Sequence, residues 1–190
     1  AAFLIKGTTL YACFKLPVNV RFSEDIVSLR GKNLKDVQEN FENTEIIMID
    51  EMSMVGKHML YQLSKRLQEI KPHRSTEDFG GVSIVLMGDF AQLPPVTDLP
   101  LFSKNEGSVY QCRGKILYER FNKSFTLSES MRQQGEDQQL FRNILDSIAK
   151  GTFNLSMWNT LQNNSTNMNA KDDRERFKDA VMLCARNKDS

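Results

Sequence analysis

Glu45-Ile46-Ile47-Met48-Ile49-Asp50-Glu51 is an unbroken apolar run that ends in two adjacent carboxylates, and its reading decides the fold. Four consecutive apolar side chains leave no polar face, so the run reads as a β-strand buried on both sides. A second run of the same kind, Val82-Ser83-Ile84-Val85-Leu86-Met87, leads into Gly88-Asp89. Between the two, Leu60, Leu63, Leu67 and Ile70 lie on one stripe of a helix predicted over 57–71, which Pro72 stops. Strand, helix and strand in this order predict a parallel pair joined by a right-handed crossover. The result is an α/β sheet with its functional loops at the carboxyl ends of the strands. Asp50-Glu51 and Asp89 both fall at such ends.

Working outward, 1–14 reads as a short helix, a Gly7-Thr8-Thr9 turn and a second short helix, with Thr8 or Thr9 as its N-cap. A polar loop through Pro17 and Arg21 follows, and Leu34, Val37, Gln38 and Phe41 sit at helical spacing. Past the second strand, Phe125-Thr126-Leu127 is a candidate third strand, 138–150 a helix closed by Gly151, and 180–184 a fourth strand. The Asn-rich, then Lys/Asp/Arg-rich stretch 163–176 reads as a linker or exposed insertion. Met52, Met54 and Met59 are assigned to core packing, the common use of a flexible thioether.

Composition narrows the class. The 190 residues, 40% hydrophobic and 26% charged, suit one or two compact domains with a real core. No run approaches the roughly 20 apolar residues of a membrane span, and the apolar start at Ala1 is too short for a signal peptide. An intracellular setting is therefore expected. Cys13, Cys112 and Cys184 lie far apart, and with only His58 and His73 beside them they form no zinc pattern. Twenty-five basic against twenty-four acidic side chains give no global basic signature, so any grip on nucleic acid rests on local groups.

The acid pair after the first strand is the arrangement of a Walker B element. In an ATPase, one carboxylate holds magnesium through its water shell while another orients or deprotonates the attacking water. The same pair can equally begin a loop or cap the next helix. In Gly88-Asp89-Phe90-Ala91-Gln92-Leu93-Pro94-Pro95-Val96, Gly88 permits a tight exit from the strand and Asp89 and Gln92 place polar groups at its end. The two prolines stiffen the segment that follows. Stiffness suits a loop that reports on a phosphate to a distant site. The plainer alternative is a turn in which Asp89 bonds its own backbone and the prolines stop the strand.

Ile49 to Val55 and Gly88 to Val96 together resemble motifs II and III of the petite-integration-frequency (Pif) type helicases, relatives of RecD in helicase superfamily one. Ala1 to Leu10 is similar to the end of motif Ia, Leu127 to Gln133 to motif IV, and Val181 to Asn187 to the opening strand of the family's second motor domain. The resemblance implies a RecA-like P-loop NTPase fold with a mainly parallel sheet flanked by helices. It further implies ATP and Mg2+ as cofactors, and 5′-to-3′ unwinding of DNA in repair, recombination and telomere maintenance. Carried over by position, Asp50 holds the metal and Glu51 is the base for water. Gln92 and Arg132 meet the γ-phosphate, and Asp89 belongs to the nucleotide site. Gly7, Thr8, Thr9, Tyr11 and Phe14 contact the strand. A forked guanidinium suits phosphoryl oxygens, although Arg132 could also serve a surface ion pair with Glu129 or Glu136. Acid, amide and guanidinium are thus expected to converge on one terminal phosphate.

Tyr11 stands where the family usually has histidine; it can still stack on a base or donate one hydrogen bond. The pattern G-x-x-x-x-G-K-[ST] does not occur, since Gly31-Lys32, Gly56-Lys57 and Gly114-Lys115 lack the earlier glycine and the following hydroxyl. The chain is accordingly expected to be an internal fragment, truncated at both ends. It would comprise a partial first motor domain over 1–135, a helical connection and linker over 136–176, and the start of a second domain over 177–190. The expected partners are single-stranded DNA and duplex junctions, with no membrane, in the nucleus or alternatively the mitochondrion. A catalytically inactive nucleic-acid-binding or structural remnant is the competing reading. The isolated 190 residues should hydrolyse ATP poorly or not at all, and DNA-stimulated turnover that disappears in Glu51→Gln would contradict this.

Overall fold

The computed structural model describes residues 6–17 and 25–166, without the side chains of 163–166. The first short helix, the loop at Arg21, the fourth strand and the linker beyond 166 lie outside the described residues. The chain divides into two compact units, Ala1–Thr126 and Leu127–Ser190, so the segment from Leu127 to Gln133 belongs to the second unit.

In the first unit, β1 (Ile46–Ile49) and β2 (Ser83–Leu86) run parallel with Ile46 opposite Ser83 and Ile49 opposite Leu86. Backbone bonds lengthen the ladder at both ends, Ser83 N–H to Glu45 C=O at 2.9 Å and Met87 N–H to Ile49 C=O at 2.8 Å. Helix α1 (Leu10–Phe14) follows the Gly7 turn, and α2 (Gly31–Phe41) precedes β1. Helix α3 (Lys57–Ile70) connects the strands, and its predicted stripe of Leu60, Leu63, Leu67 and Ile70 is buried against Val37, Phe41, Ile49 and Val82. Burial of such side chains, at about 1.5–3 kcal/mol each, holds the unit together.

Two expectations about the strands fail. Strand β1 is covered on one face only: Ile47 and Ile49 turn to the core, whereas Ile46 is 60% and Met48 67% exposed. The core cluster packs on the Ile47, Ile49, Ile84 and Leu86 side, and no described element covers the other. Phe125-Thr126-Leu127 is not a strand, with Phe125 88% and Leu127 95% exposed. An extended segment needs a neighbour to pair its N–H and C=O groups, and none reaches it among the described residues.

Helix α4 (Val109–Glu119) was not foreseen, although its signal is present in Ser108-x-x-Gln111. Ser108 Oγ accepts from Gln111 N–H at 3.3 Å, and Gln111 Oε1 accepts from Ser108 N–H at 2.8 Å, a complete capping box. Gly114 lets α4 press on the first turn of α3, because a Cβ there would lie 1.8 Å from the Lys57 carbonyl oxygen.

The second unit contains α5 (Gln139–Ala149), closed as expected by Gly151 at φ 67°, and α6 (Leu155–Thr166). Asn154 caps α6 by accepting from Met157 N–H at 3.1 Å, so residues 163–166 are helical where a linker was expected. Inside the unit, Ser147 Oγ donates to Ile144 C=O at 2.9 Å, and Arg142 bonds the Gln133 carbonyl. No helix among the described residues is long and apolar enough to cross a membrane.

In an ordinary helix interior, Gly→Ala stabilises by about 1 kcal/mol. Gly114→Ala should do the reverse and destabilise by about 1–3 kcal/mol, the cost of overpacking, as read by denaturant unfolding.

Candidate active site

The ends of the two strands are fastened to each other. The N–H of Met52, just past the acid pair, donates to the Met87 carbonyl at 2.8 Å. Gly88, at φ 142°, lies so close that a Cβ would sit 2.8 Å from Met52 N and 3.3 Å from Glu51 Cα. Only glycine fits there, so the segments after β1 and β2 share one rim of the sheet.

Asp50 is exposed, and its Oδ1 accepts from Glu51 N–H at 2.9 Å, leaving the second carboxylate oxygen for another partner. Glu51 adopts a left-handed conformation, φ 55° and ψ 48°, immediately before a 3-10 turn at Met52–Met54. For a residue with a Cβ this costs about 1–2 kcal/mol, a strain that concentrates at functional sites. The turn sends Ser53 inward and Met54 out. Met54 is therefore not the core residue expected; it is 46% exposed, while Met59 does pack on the core.

After β2, Asp89 makes the local bond of the turn reading: its Oδ1 accepts from Ala91 N–H at 2.9 Å, and Gln92 N–H reaches the Asp89 carbonyl at 3.1 Å. That turn swings Gln92 back toward the acid pair. Glu51, Ser53, Met54, Gln92 and Pro94 line one open cleft of about 750 Å³. Asp50 and Asp89 lie outside its lining. Ser53 Oγ is buried with no hydrogen-bond partner, a cost of about 1–3 kcal/mol that a ligand or water in the cleft would offset.

A second, smaller cavity of about 200 Å³ is lined by Tyr11, Met54, Gln62, Pro95 and Val96 among others. Met54 belongs to both linings. Asp98, also in this wall, caps α3 from outside: its Oδ2 accepts from His58 N–H at 2.9 Å and Met59 N–H at 3.2 Å. Gly56 makes room for it, since a Cβ would fall 2.1 Å from Asp98 Oδ2. Lys57 is wholly buried and donates to the Ser103 and Asn105 carbonyls, both at 2.7 Å, and burial holds its ammonium below the ordinary lysine value.

Gly7, Thr8, Thr9 and Tyr11 are exposed, and Thr9 is the N-cap of α1, its Oγ1 accepting from Ala12 N–H at 3.3 Å. Phe14 is misassigned as a strand contact. It is 1% exposed and packs on Phe41 with ring centroids 4.9 Å apart, because the apolar side of α1 turns to the core. Arg132 stands exposed in the second unit, with no ion pair to Glu129 or Glu136 among the described residues. No group of three potential metal ligands occurs among the described residues.

Comparison with known proteins identifies the line of descent. The profile of PIF1-like helicases matches residues 1–180. The chain belongs to the Pif1-like helicase family. It is 30% identical over 165 residues to the ATP-dependent DNA helicase RRM3 of Saccharomyces cerevisiae, covering 86% of this chain and 21% of that protein. It is also 30% identical over 162 residues to the ATP-dependent DNA helicase PIF1 of Candida albicans, covering 80% and 17%. The Pif1-like chain thus spans about a fifth of the length of these relatives. Among solved structures, Candida albicans Pif1 matches with TM-score 0.58 at 25% identity, over 82% of this chain and 33% of that one. Bacteroides Pif1 with ADP-AlF3 and single-stranded DNA matches with TM-score 0.61 at 23% identity, over 90% and 38%. The fold is the RecA-like α/β arrangement.

Ser53, Gln62 and Asp98 were missed in the sequence. Ser53 and Gln62 announce themselves only as buried polar atoms without partners, and Asp98 reaches α3 from 40 residues away. Glu51→Gly should relieve the left-handed strain and raise stability by about 1 kcal/mol, read by denaturant unfolding. Loss of stability in that variant would show the conformation to be relaxed.

Proposed function

We propose that this chain forms the part of an ATP-dependent 5′-to-3′ DNA helicase motor that senses the terminal phosphate and passes its state to a bound single strand. One observation carries the reading: Pro94 lines the cleft that holds Glu51 and Gln92, while Pro95, the next residue, lines the cavity that holds Tyr11. A stiff dipeptide with one face on each cavity is suited to move both together.

In this reading Glu51 orients and deprotonates the attacking water, and the Gln92 amide answers to the γ-phosphate. Asp50 takes magnesium. Such an ion asks for only one or two carboxylates plus water and phosphate oxygens, which fits an exposed aspartate with one oxygen already bonded. The bound metal would draw charge from the phosphoryl oxygens as the terminal bond breaks. Asp89 shapes the turn that presents Gln92, and Arg132 brings a fixed, forked positive charge suited to phosphoryl oxygens. Gly7, Thr8, Thr9 and Tyr11 contact the strand, with hydroxyls toward its phosphates and the ring toward a base. The parent protein would act on single-stranded DNA and duplex junctions in repair, recombination and telomere maintenance, within the nucleus or the mitochondrion.

The test uses the protein at its natural length. Glu51→Gln should lower DNA-stimulated ATP turnover at least about a hundredfold, within the 10²–10⁴ range of a general base, while single-strand affinity is retained. Asp50→Ala and Arg132→Ala should also lose turnover while remaining folded. A folded wild-type protein that binds DNA without turnover would establish the inactive remnant instead.

A further inference from the structure

The cavity beside α3 holds a feature that nucleotide hydrolysis does not use. Gln62, on the second turn of α3, is 4% exposed and lines the cavity, and its Nε2 has no hydrogen-bond partner. Its helical neighbours Leu60 and Leu63 belong to the apolar core. A buried N–H donor group left without a partner costs about 1–3 kcal/mol, so the position is poorly explained by stability.

The rest of the lining says what would satisfy it. The cavity measures about 200 Å³. An apolar cavity of about 150 Å³ admits benzene, so one planar heterocycle fits here. Met54, Pro17 and Pro95 supply apolar walls, and Tyr11, 39% exposed, supplies an aromatic face at the surface. No lysine or arginine lines the cavity, and its one carboxylate, Asp98, is engaged by four N–H donors. A phosphate would meet the Asp98 carboxylate with no lysine or arginine to balance it, His58 being the one basic side chain in the lining. A neutral base needs no such balance.

We propose that this cavity takes one unstacked nucleobase of the bound single strand, with Gln62 as the side chain that hydrogen-bonds its edge. The assignment rests on the strand-contact reading above and adds the subsite and its recognising group. Every base presents both donors and acceptors on its edge, and a half-turn of the Gln62 amide exchanges its NH2 for its carbonyl. The contact is therefore sensitive to the presence of a base and tolerant of its identity, as a motor that steps along any sequence requires. Because Pro95 and Val96 form part of the wall, filling the cavity bears directly on the segment that carries Gln92.

The experiment measures affinity for oligodeoxythymidine by fluorescence anisotropy with the protein at its natural length, using strands with a single abasic position moved along the site. Wild type should lose about 3–10-fold in affinity at one register, the worth of a hydrogen bond of about 1 kcal/mol with partial stacking. Gln62→Leu should lose a similar factor on the intact strand and show a clearly smaller abasic penalty, since only the stacking part remains. Its melting temperature should equal or exceed that of wild type, because an unpaired amide is removed. Equal affinity of Gln62→Leu and wild type, or an abasic penalty as large in the variant as in wild type, overturns the proposal while leaving strand contact standing. Failure of wild type to bind the strand overturns both. Should Gln62→Leu fail to fold, Gln62→Met takes its place, and absence of any abasic penalty in wild type is sufficient to refute the assignment.

Discussion

The bond from the Met52 N–H to the Met87 carbonyl, together with the missing side chain at Gly88, is the constraint on which the site depends. Parallel strands bring their carboxyl ends to one edge, but only to within the width of a ladder. The additional bond carries the pairing one residue past β1 into the turn, and Gly88 lets the backbone after β2 approach the Glu51-Met52 peptide. A carboxylate from one strand end and an amide from the other then face one cleft. Any Cβ at 88 would push them apart by overlap with backbone, which has no rotamer to yield.

Three features of this region run against stability. Glu51 is left-handed, Ser53 hides a hydroxyl, and Gln62 hides an amide, each at a cost of order 1–3 kcal/mol. A fold indifferent to function would place glycine, alanine and leucine there. The three cluster around the two cavities, and the proline pair separates those cavities by a single peptide unit. At the two cavities these features leave interactions for a ligand to supply, whereas the left-handed Phe79 and the unpartnered Arg66 Nε lie in the packed interior.

Stability is provided by α3 and what grips it. Its stripe fills the core, Gly114 admits α4 at its first turn, and Arg66 ties the 25–30 segment by donating to the Val27 carbonyl at 3.0 Å and pairing with Glu69. Asp98 satisfies the α3 N-terminus from a distant loop, so the segment after the prolines is anchored to the same helix that carries Gln62. An anchored loop with a stiff start transmits displacement; a free loop would absorb it.

Periodicity and residue type in the sequence were enough for the strand, helix, strand unit, the Pro72 stop, a threonine cap at Thr8 or Thr9, the Gly151 terminus and the strand-end position of Asp50, Glu51 and Gln92; the choice of Thr9 came from the structure. These are local choices, fixed by side-chain spacing along a few turns. The burial of Phe14 and the exposed outer face of β1 were decided elsewhere, because a periodic pattern says which residues share a face and not what covers it. The Phe125 segment looked like a strand because its side chains suit one, yet pairing partners are a non-local matter. The shared cleft, the second cavity, and the caps and orphan polar atoms around them arise between residues far apart in the chain, 40 positions for the Asp98 cap of α3 and 87 for Tyr11 and Asp98 in one cavity wall. Such contacts exist only once the helices have closed on the sheet, and tertiary structure alone determined them.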